Sequence, residues 1–502
     1  MPTKKWLFLP GLFLVCVAVW RLALAAPFLG PVLPADILPS AEATGSYATL
    51  PPGSPAITVT VPANGTAPGL LFVAPFTTTV FATGHPLGRL WILDDSGQPV
   101  YYQTTPNSLA MDFKVLSDGT LSYFDWTRQL WQIMDNSYRP IATVKPGNGL
   151  KAADMHDLQR LKNGHYLIMA DQGKVIDMSK VVKGGHPDAE VSSQVIQEVD
   201  VNGTVYFSWS VLDHIPLTDS NETLTGSPID YSHCNALEED SDGNLLLSCR
   251  HFDSVIKINR ATGAIMWHLG GKENNFTFAR GAGVPLTEPL DFNWQHDARR
   301  LRNGDITLFD NHDGPGPQIT RIVEYRLDEQ HLTATLVWAL HHSPDTYSDS
   351  MGDAQRLPNG NTLVGWGQDT GPDLTEFRPD GSVALEMEFG NFLDNYRAFR
   401  FPWAGHPTWP SALVVQPSGA GIRLAFSWNG ATEVAAYRVY AGNASPPTTL
   451  LGTAPKAGFE TTTVLQGTQA SYCYYQVVPV DSQGQSMQPS QAVRARGPAA
   501  CR

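Results

Sequence analysis

The stretch that decides the fold is His296-Asp-Ala-Arg-Arg-Leu-Arg-Asn-Gly-Asp-Ile306, two short segments joined by an Asn-Gly pair. Asn-Gly between strand-forming segments is a strong signal for a tight hairpin, and we expect a primed two-residue turn here. The pattern recurs at Phe113–Leu121, His156–Leu167, Asn235–Leu245 and Gly352–Thr362. The turn glycines are Gly119, Gly164, Gly243, Gly304 and Gly360.

A weaker second hairpin lies between these units, as in Val195–Trp209 and Val255–Trp267. Two hairpins form a four-stranded antiparallel unit, which cannot bury both of its faces alone and must stack on neighbours. With a degenerate first unit near Gly69–Tyr102, the count is six. The repeat therefore predicts a six-bladed β-propeller over residues 68–405, with a twisted open sheet or two sandwiches as the alternative.

The pattern changes after Trp409 to alternating strands whose spacing is typical of a β-sandwich. They are Leu424–Trp428, Ala436–Tyr440, Thr461–Leu465 and Tyr472–Val480. This region resembles a fibronectin type III domain, which we expect over residues 410–498. The predicted fold class is all-β, and the sandwich is either a binding accessory or a stabilising appendage.

The composition restricts the class of binding partner, and the N-terminal sequence indicates the cellular compartment. The chain has 34 Lys plus Arg against 48 Asp plus Glu, a net charge of −14, which argues against a nucleic-acid partner. Lys4 and Lys5 precede an apolar run, and Ala23–Ala26 is suited to cleavage. Residues 1–26 are therefore expected to be a signal peptide, or alternatively a membrane anchor, followed by an N-terminal extension over 27–67. Both readings predict a secreted or extracytoplasmic protein.

An oxidising compartment makes disulfides plausible for the four cysteines beyond this leader. The favoured pairing is local, joining Cys234 to Cys249 and Cys473 to Cys501. Two buried free thiols are the alternative for the first pair, because sequence does not fix connectivity.

Polar residues recur at equivalent positions of the repeat. Eight positions before the turn glycine stand His156, Asn235 and His296, and seven positions after it stand Arg250 and Asn311. If the hairpins share a register, Asn235 opposes Arg250 and His296 opposes Asn311. His233 projects from the same strand face as Asn235. A closed ring would gather these groups in a pocket near its axis, whereas any one histidine alone reads as structural. His251, outside the alignment, is interpreted as structural or surface.

The motifs Met155-His156-Asp157, Tyr231-Ser-His233-Cys-Asn235, Ser248-Cys-Arg250-His and Trp294-Gln-His296-Asp297 resemble those of the bacterial-type arylsulfate sulfotransferases. The resemblance implies an exported six-bladed propeller that moves a sulfuryl group from an aryl sulfate to a phenol through a sulfated histidine, without a nucleotide donor. It implies no cofactor and no metal. By residue match, His296 is the nucleophile, His156, His233 and Arg250 bind sulfate and handle protons, and Asn235 is a secondary pocket residue.

These roles agree with elementary chemistry. A neutral imidazole is a competent nucleophile at neutral pH. Arg250 would make the pocket locally cationic and stabilise the charge on the transferring group. Either His156 or His233 could protonate the departing phenolate. Two other hypotheses remain: a hydrolase whose metal is held by His156, His233 and His296, and a secreted propeller that binds a partner or glycan without catalysis.

Overall fold

The computed structural model describes residues 47–51, 57–77, 87–314, 318–369, 371–390 and 393–496. The predicted leader, much of the predicted extension and Cys501 lie outside these ranges. No helix within them is both long enough and apolar enough to span a bilayer.

Six sheets of four or five strands dominate the described residues between Thr58 and Phe401. We number them along the chain and give their strands in order of pairing. Sheet 1 is Phe399–Phe401, Leu70–Val73, Leu87–Leu93 and Pro99–Pro106; sheet 2 is Ala110–Val115, Leu121–Asp125, Leu130–Met134 and Pro140–Val144; sheet 3 is Ala153–Arg160, Tyr166–Ile176, Ala189–Val199 and Val205–Ser210, with Ile229–Asp230 beside its third strand. Sheet 4 is Cys234–Glu239, Leu245–Cys249, Ser254–Ile258 and Ile265–Leu269; sheet 5 is His296–Arg300, Ile306–Asp310, Arg321–Asp328, Thr333–Leu340 and Thr277–Arg280; sheet 6 is Asp353–Arg356, Thr362–Gly365, Leu374–Phe377, Val383–Glu388 and Thr58–Val61.

Smaller elements connect these sheets. Two-stranded pairs join Ser348–Ser350 to Gln368–Asp369 and Phe76–Thr77 to Leu393–Asp394. The described helices are short: one α-helical turn at Val211–His214, and 3₁₀ turns at Met178–Lys180, Leu217–Asp219, Arg250–Phe252 and Gly467–Ser471.

The first strand given for each sheet, here called its inner strand, contacts the inner strand of the next sheet from sheet 1 through sheet 6. The order closes on itself, because Thr362–Gly365 of sheet 6 contacts Phe399–Phe401 of sheet 1. Segments from before the first sheet and after the sixth take part in the closure. Phe399–Phe401 pairs with Leu70–Val73 in sheet 1, and Thr58–Val61, which falls in the predicted extension, completes sheet 6.

Stacking of the sheets explains why their central strands are apolar without alternation. Leu245 and Leu247 belong to the core between sheets 3 and 4, whereas Leu246 between them belongs to the core between sheets 4 and 5. Each such fully buried side chain stabilises the fold by roughly 1.5–3 kcal/mol relative to exposure. One strand therefore contributes to two cores.

The five predicted hairpins are confirmed, but the predicted turn type is wrong. In sheet 5, the Leu301 amide bonds the Asp305 carbonyl at 2.8 Å, which leaves a three-residue loop. Gly304 has φ +92°, while Asn303 does not have positive φ, as a primed turn would require.

The longer loop and bulges in the inner strands also change the predicted register. His296 pairs with Phe309 instead of Asn311, and Cys234 pairs with Cys249 where Asn235 was expected to oppose Arg250. The register of sheet 5 shifts again beyond His296, where Asp297 has φ +51°. Cys234 and Cys249 form a disulfide across sheet 4. Cys473 is also disulfide-bonded.

Two further sheets form the C-terminal unit. One contains Ala412–Ser418, Gly421–Ser427 and Thr461–Leu465, and the other contains Thr449–Pro455, Ala436–Gly442, Tyr474–Val480 and Val493–Arg494. They share one apolar core. The unit packs on sheets 1 and 2, where the Tyr138 hydroxyl donates to the Gly430 carbonyl at 2.8 Å and Tyr138 stacks on Tyr101 at 3.9 Å.

Candidate active site

The three histidines singled out by the repeat lie together. His156 is in the inner strand of sheet 3, His233 immediately precedes that of sheet 4, and His296 begins that of sheet 5. The ring centroid of His233 is 4.9 Å from that of His156 and 6.3 Å from that of His296. All three side chains are buried. Neighbouring inner strands therefore form a contiguous imidazole cluster.

The tautomer of His296 follows from its hydrogen bonds. The Asn311 amide nitrogen donates to the carbonyls of Ser348 and Met351 at 3.1 and 3.0 Å, so the amide oxygen must face the imidazole. That oxygen lies 2.7 Å from His296 Nδ1 and accepts its hydrogen. The proton is thus on Nδ1, and the Nε2 lone pair has no hydrogen-bond partner among the described residues. Burial, followed by the charges of Arg250 and His233, holds the pKa of His296 well below its ordinary value.

The other two histidines face carboxylates. His156 Nδ1 lies 2.7 Å from Asp154, and His233 Nδ1 lies 2.6 Å from Asp230. Burial opposes ionisation of Asp154, but the charge and hydrogen bonds of His156 lower the pKa of this carboxyl. The pKa of His233 is well below its usual value because of burial, His156 and Arg250. His156 thus has a buried ionised carboxylate as its partner, whereas His233 is neutral.

Arg250 starts a 3₁₀ turn directly after Cys249 and is nine-tenths buried, with 8% exposure. Its guanidinium lies over the Trp294 ring at 4.4 Å and donates to the Asp349 carbonyl at 2.7 Å. A weaker contact joins it to the Asp313 carboxylate at 3.5 Å. Its Nε is buried without a hydrogen-bond partner among the described residues. The site therefore contains a fixed cation with one unused donor.

Asn235 is fully buried, and it links elements rather than opposing Arg250. Its side-chain nitrogen donates to the Gln295 carbonyl at 2.8 Å, and its own carbonyl accepts from Arg397 at 2.7 Å. Its Oδ1 is buried with no hydrogen-bond partner in the described chain.

A buried ionic layer formed by Arg397 lies next to the histidines. Arg397 contacts Asp112 of sheet 2, Asp157 of sheet 3 and Asp297 of sheet 5 at 3.3, 3.6 and 3.5 Å, with no exposed side-chain surface. Lys114 and Arg299 complete the network by bonding Asp157, each at 2.8 Å. The preceding Tyr396 contacts the His156 ring at 5.7 Å between centroids. Arg397 thereby joins several sheets near their inner strands and supports the cluster from one side.

Sequence reasoning missed His251 and the surrounding acids. The ring of His251 lies 4.8 Å from that of His233, its Nδ1 donates to the Asp230 carbonyl at 2.6 Å, and its Nε2 lies 3.3 Å from Arg250. Burial lowers the pKa of His251 to about 3, so it is a neutral acceptor. Its place beside Arg250 in the motif was the available signal. Glu222, which lies 3.3 Å from His251, comes from a loop with no repeat pattern.

Among the described residues, the side chains that could hold a metal differ from the three histidines of the alternative hydrolase hypothesis. Asp230, His233 and His251 place one potential ligand atom each within 4.8 Å of one another. A cation there would compete with the Nδ1 hydrogen bond of His251 and would lie beside Arg250. The donor set therefore fits a metal poorly.

Comparison with known proteins identifies the family of this chain. The sequence model of the family described as Arylsulfotransferase (ASST) matches residues 115–390. This chain belongs to the arylsulfotransferase family. The matched region includes sheets 3 to 5 with His156, His233, Arg250 and His296.

One curated relative of this chain is the arylsulfate sulfotransferase AssT of Escherichia coli O6:H1 (strain CFT073), at 28% identity. The alignment covers 40% of this chain and 39% of that protein, so the chain spans less than half of its relative's length.

Solved structures give weaker likenesses. A Bacteroides caccae protein of unknown function has a TM-score of 0.41 at 13% identity and covers 66% of this chain and 98% of its own. Virginiamycin B lyase of Staphylococcus aureus has a TM-score of 0.33 at 9% identity, covering 73% of this chain and 95% of its own. A Xanthomonas campestris gluconolactonase has 0.32 at 11%, covering 74% and 97%. These scores are too low to assign the fold.

Proposed function

We propose that this arylsulfotransferase is an extracytoplasmic enzyme that moves a sulfuryl group from an aryl sulfate to a phenol through a sulfated His296. Six sheets in closed order support a six-bladed β-propeller, and the seven-stranded C-terminal unit supports a fibronectin type III-like sandwich. The leader pattern and the Cys234–Cys249 disulfide support export. The observation that carries the activity is the His296–Asn311 hydrogen bond, because it leaves Nε2 unprotonated within a histidine–arginine cluster.

In the first half-reaction, the Nε2 lone pair of His296 forms a bond to sulfur while the bond from sulfur to the aryl oxygen breaks. The departing aryloxide keeps the electron pair of that bond and takes a proton. Neutral His296 is ready for this attack without prior deprotonation. In the second half-reaction, a phenol loses its proton, its oxygen attacks sulfur, and the bond from sulfur to nitrogen breaks to restore neutral His296.

His156 is assigned the proton transfer. Of the candidates His156 and His233, it is the one beside a fully buried carboxylate whose pKa is lowered by the imidazole. The Asp154 oxygen, 2.7 Å from His156 Nδ1, holds this ring in place, so His156 can protonate the aryloxide and then accept the proton of the phenol. Positioned general acids contribute about 10²–10⁴-fold.

Arg250 is assigned to the oxygens of the transferring group. Its guanidinium is held by Trp294 and the Asp349 carbonyl before substrate arrives, and its Nε is available as a donor. A preoriented cation stabilises charge in the transition state without reorganisation, and such donors contribute about 10²–10³-fold.

The experiment is a transfer assay with a chromogenic aryl sulfate, with and without an added phenol. The wild-type protein should release the chromophore faster with phenol and form the new sulfate ester. His296→Asn should lose both reactions while its thermal unfolding stays cooperative. His268→Asn, which alters a histidine on the outer strand of sheet 4, is the matched control and should retain them. Ester formation by the His296→Asn variant at the wild-type rate would refute the assignment.

A further inference from the structure

Acidic side chains outnumber cations at the partly exposed edge of the histidine cluster, here called its mouth. Asp230, Glu222 and Asp313 expose 27%, 32% and 26% of their side chains and contact His233, His251 and Arg250 respectively. Asp349 is half-buried, and its backbone carbonyl accepts a hydrogen bond from Arg250. We call Asp230, Glu222, Asp313 and Asp349 the acidic rim.

Little positive charge balances this rim. Burial, and after it the charge of Arg250 and of neighbouring imidazoles, lowers the pKa of His233, His251 and His296, so these three side chains are neutral. In the described part of the chain, no lysine and no arginine other than Arg250 forms an ion pair with a rim carboxylate. The only guanidinium among the described rim contacts is therefore that of Arg250, with four acidic side chains around it, whereas His156, the proton carrier, lies against Asp154 instead.

The rim carboxyls respond to this imbalance. Burial and the charge of Asp230 raise the pKa of Glu222, and burial raises that of Asp349 although Arg250 opposes it. A bound cation would relieve this repulsion. A sulfated His296 would add a further negative charge to the same pocket.

Ligand-directed groups lie inside the rim and are independent of it. His296 forms its side-chain hydrogen bond through Nδ1 and has none at Nε2 in the described ranges, and Arg250 Nε is buried without a partner there. These atoms mark where a reacting group binds. The carboxylates of the rim then favour a positive charge on the part of the ligand that lies near the mouth.

We propose that the preferred acceptor is a phenol that carries a positive charge on a short side chain, such as a protonated amine. The inference rests on the proposed sulfuryl transfer. The phenol oxygen attacks the sulfuryl group on His296 and its proton passes to His156, while the ammonium lies against the acidic rim. An anionic phenol meets repulsion at the same place.

The test compares three acceptors of similar size: tyramine, its neutral analogue tyrosol, and anionic 4-hydroxyphenylacetate. At low salt, kcat/KM should be about tenfold higher for tyramine than for tyrosol, and lower still for the anion, since one added charge at several ångströms acts on this scale. The ratio should fall as ionic strength rises. A tyramine-to-tyrosol ratio of one or below overturns the inference.

Variants assign the preference to the rim. Glu222→Gln and Asp313→Asn should each lower the tyramine-to-tyrosol ratio, and a ratio within one variant is insensitive to the amount of folded protein. Asp328→Asn, on an exposed turn of sheet 5, should keep the wild-type ratio. An unchanged ratio in both rim variants would contradict the proposal.

Binding separates this inference from the proposed function. If no acceptor is sulfated, the proposed function fails, and calorimetric titration of tyramine against tyrosol still tests the rim. Tighter binding of tyramine that weakens in Glu222→Gln supports the charge preference, and equal affinities overturn it.

Discussion

Asn311→Asp isolates the link between hydrogen bonding and the protonation state of the proposed nucleophile. The substitution keeps an oxygen 2.7 Å from His296 Nδ1 but replaces the amide by a carboxylate. An adjacent buried negative charge favours the imidazolium and raises a histidine pKa by about 1–3 units. His296 starts from a pKa well below 6.5 because of burial and Arg250, so the acid limb of the wild-type kcat/KM should lie below that pH.

The sign of the effect follows directly. Only neutral His296 has a lone pair for attack, so a raised pKa means that activity is lost at a higher pH as the solution is acidified. The acid limb of kcat/KM should therefore move upward by about 1–3 pH units in the variant. Measured between pH 4.5 and 9 with a chromogenic aryl sulfate, the plateau at high pH should be largely retained.

A stability loss should accompany the shift. The carboxylate no longer donates to the carbonyls of Ser348 and Met351, and each lost hydrogen bond costs about 0.5–1.5 kcal/mol. Urea unfolding should show a destabilisation of about 1–3 kcal/mol. Asn148→Asp, on an exposed turn between sheets 2 and 3, is the matched charge control and should change neither quantity. An acid limb that stays in place in an active Asn311→Asp enzyme would refute the tautomer argument.

Two further perturbations test other parts of the site. Trp294→Leu removes the ring that supports Arg250, so kcat/KM for the aryl sulfate should fall about 2–30-fold, which corresponds to losing about 0.5–2 kcal/mol of cation–π energy. An unchanged kcat/KM would show that Arg250 needs no such support. Arg397→Met leaves Asp112, Asp157 and Asp297 without their shared partner and should destabilise the protein by about 3–5 kcal/mol in urea unfolding. The control Arg302→Met, on the exposed turn of sheet 5, should change the stability little. Equal stability of the two variants would contradict the structural role of Arg397.

The sequence repeat was sufficient to locate the histidines because hairpin formation depends on residues that are close together in the chain. Glycine at the αL position of each turn and apolar strand segments predicted the hairpins, and equal distances from the turn placed His156 and His296 at equivalent heights. Turn type and register required finer information. The bulge at Asp297 depends on how that inner strand packs against its neighbours, which the hairpin sequence does not encode.

The remaining site residues come from segments that the repeat does not relate. Glu222 lies in the connection between sheets 3 and 4, Asp349 lies in a two-stranded pair between sheets 5 and 6, and Arg397 lies just before the closing strand of sheet 1. Glu222 and Asp349 reach the site from connections between neighbouring sheets, whereas Arg397 reaches it because the closing strand Phe399–Phe401 returns to sheet 1. The net charge of −14 pointed away from polyanions, but only the structure places carboxylates around Arg250.

The central claim is tested most directly by the position of the covalent intermediate. The protein is mixed with an aryl sulfate without acceptor, quenched at alkaline pH, digested, and analysed by tandem mass spectrometry for peptides heavier by one sulfuryl group. The label should be found on His296, should be lost on addition of a phenol, and should be absent in His296→Asn. A label on His156 or His233, or turnover through a protein that never carries the label, would contradict this claim.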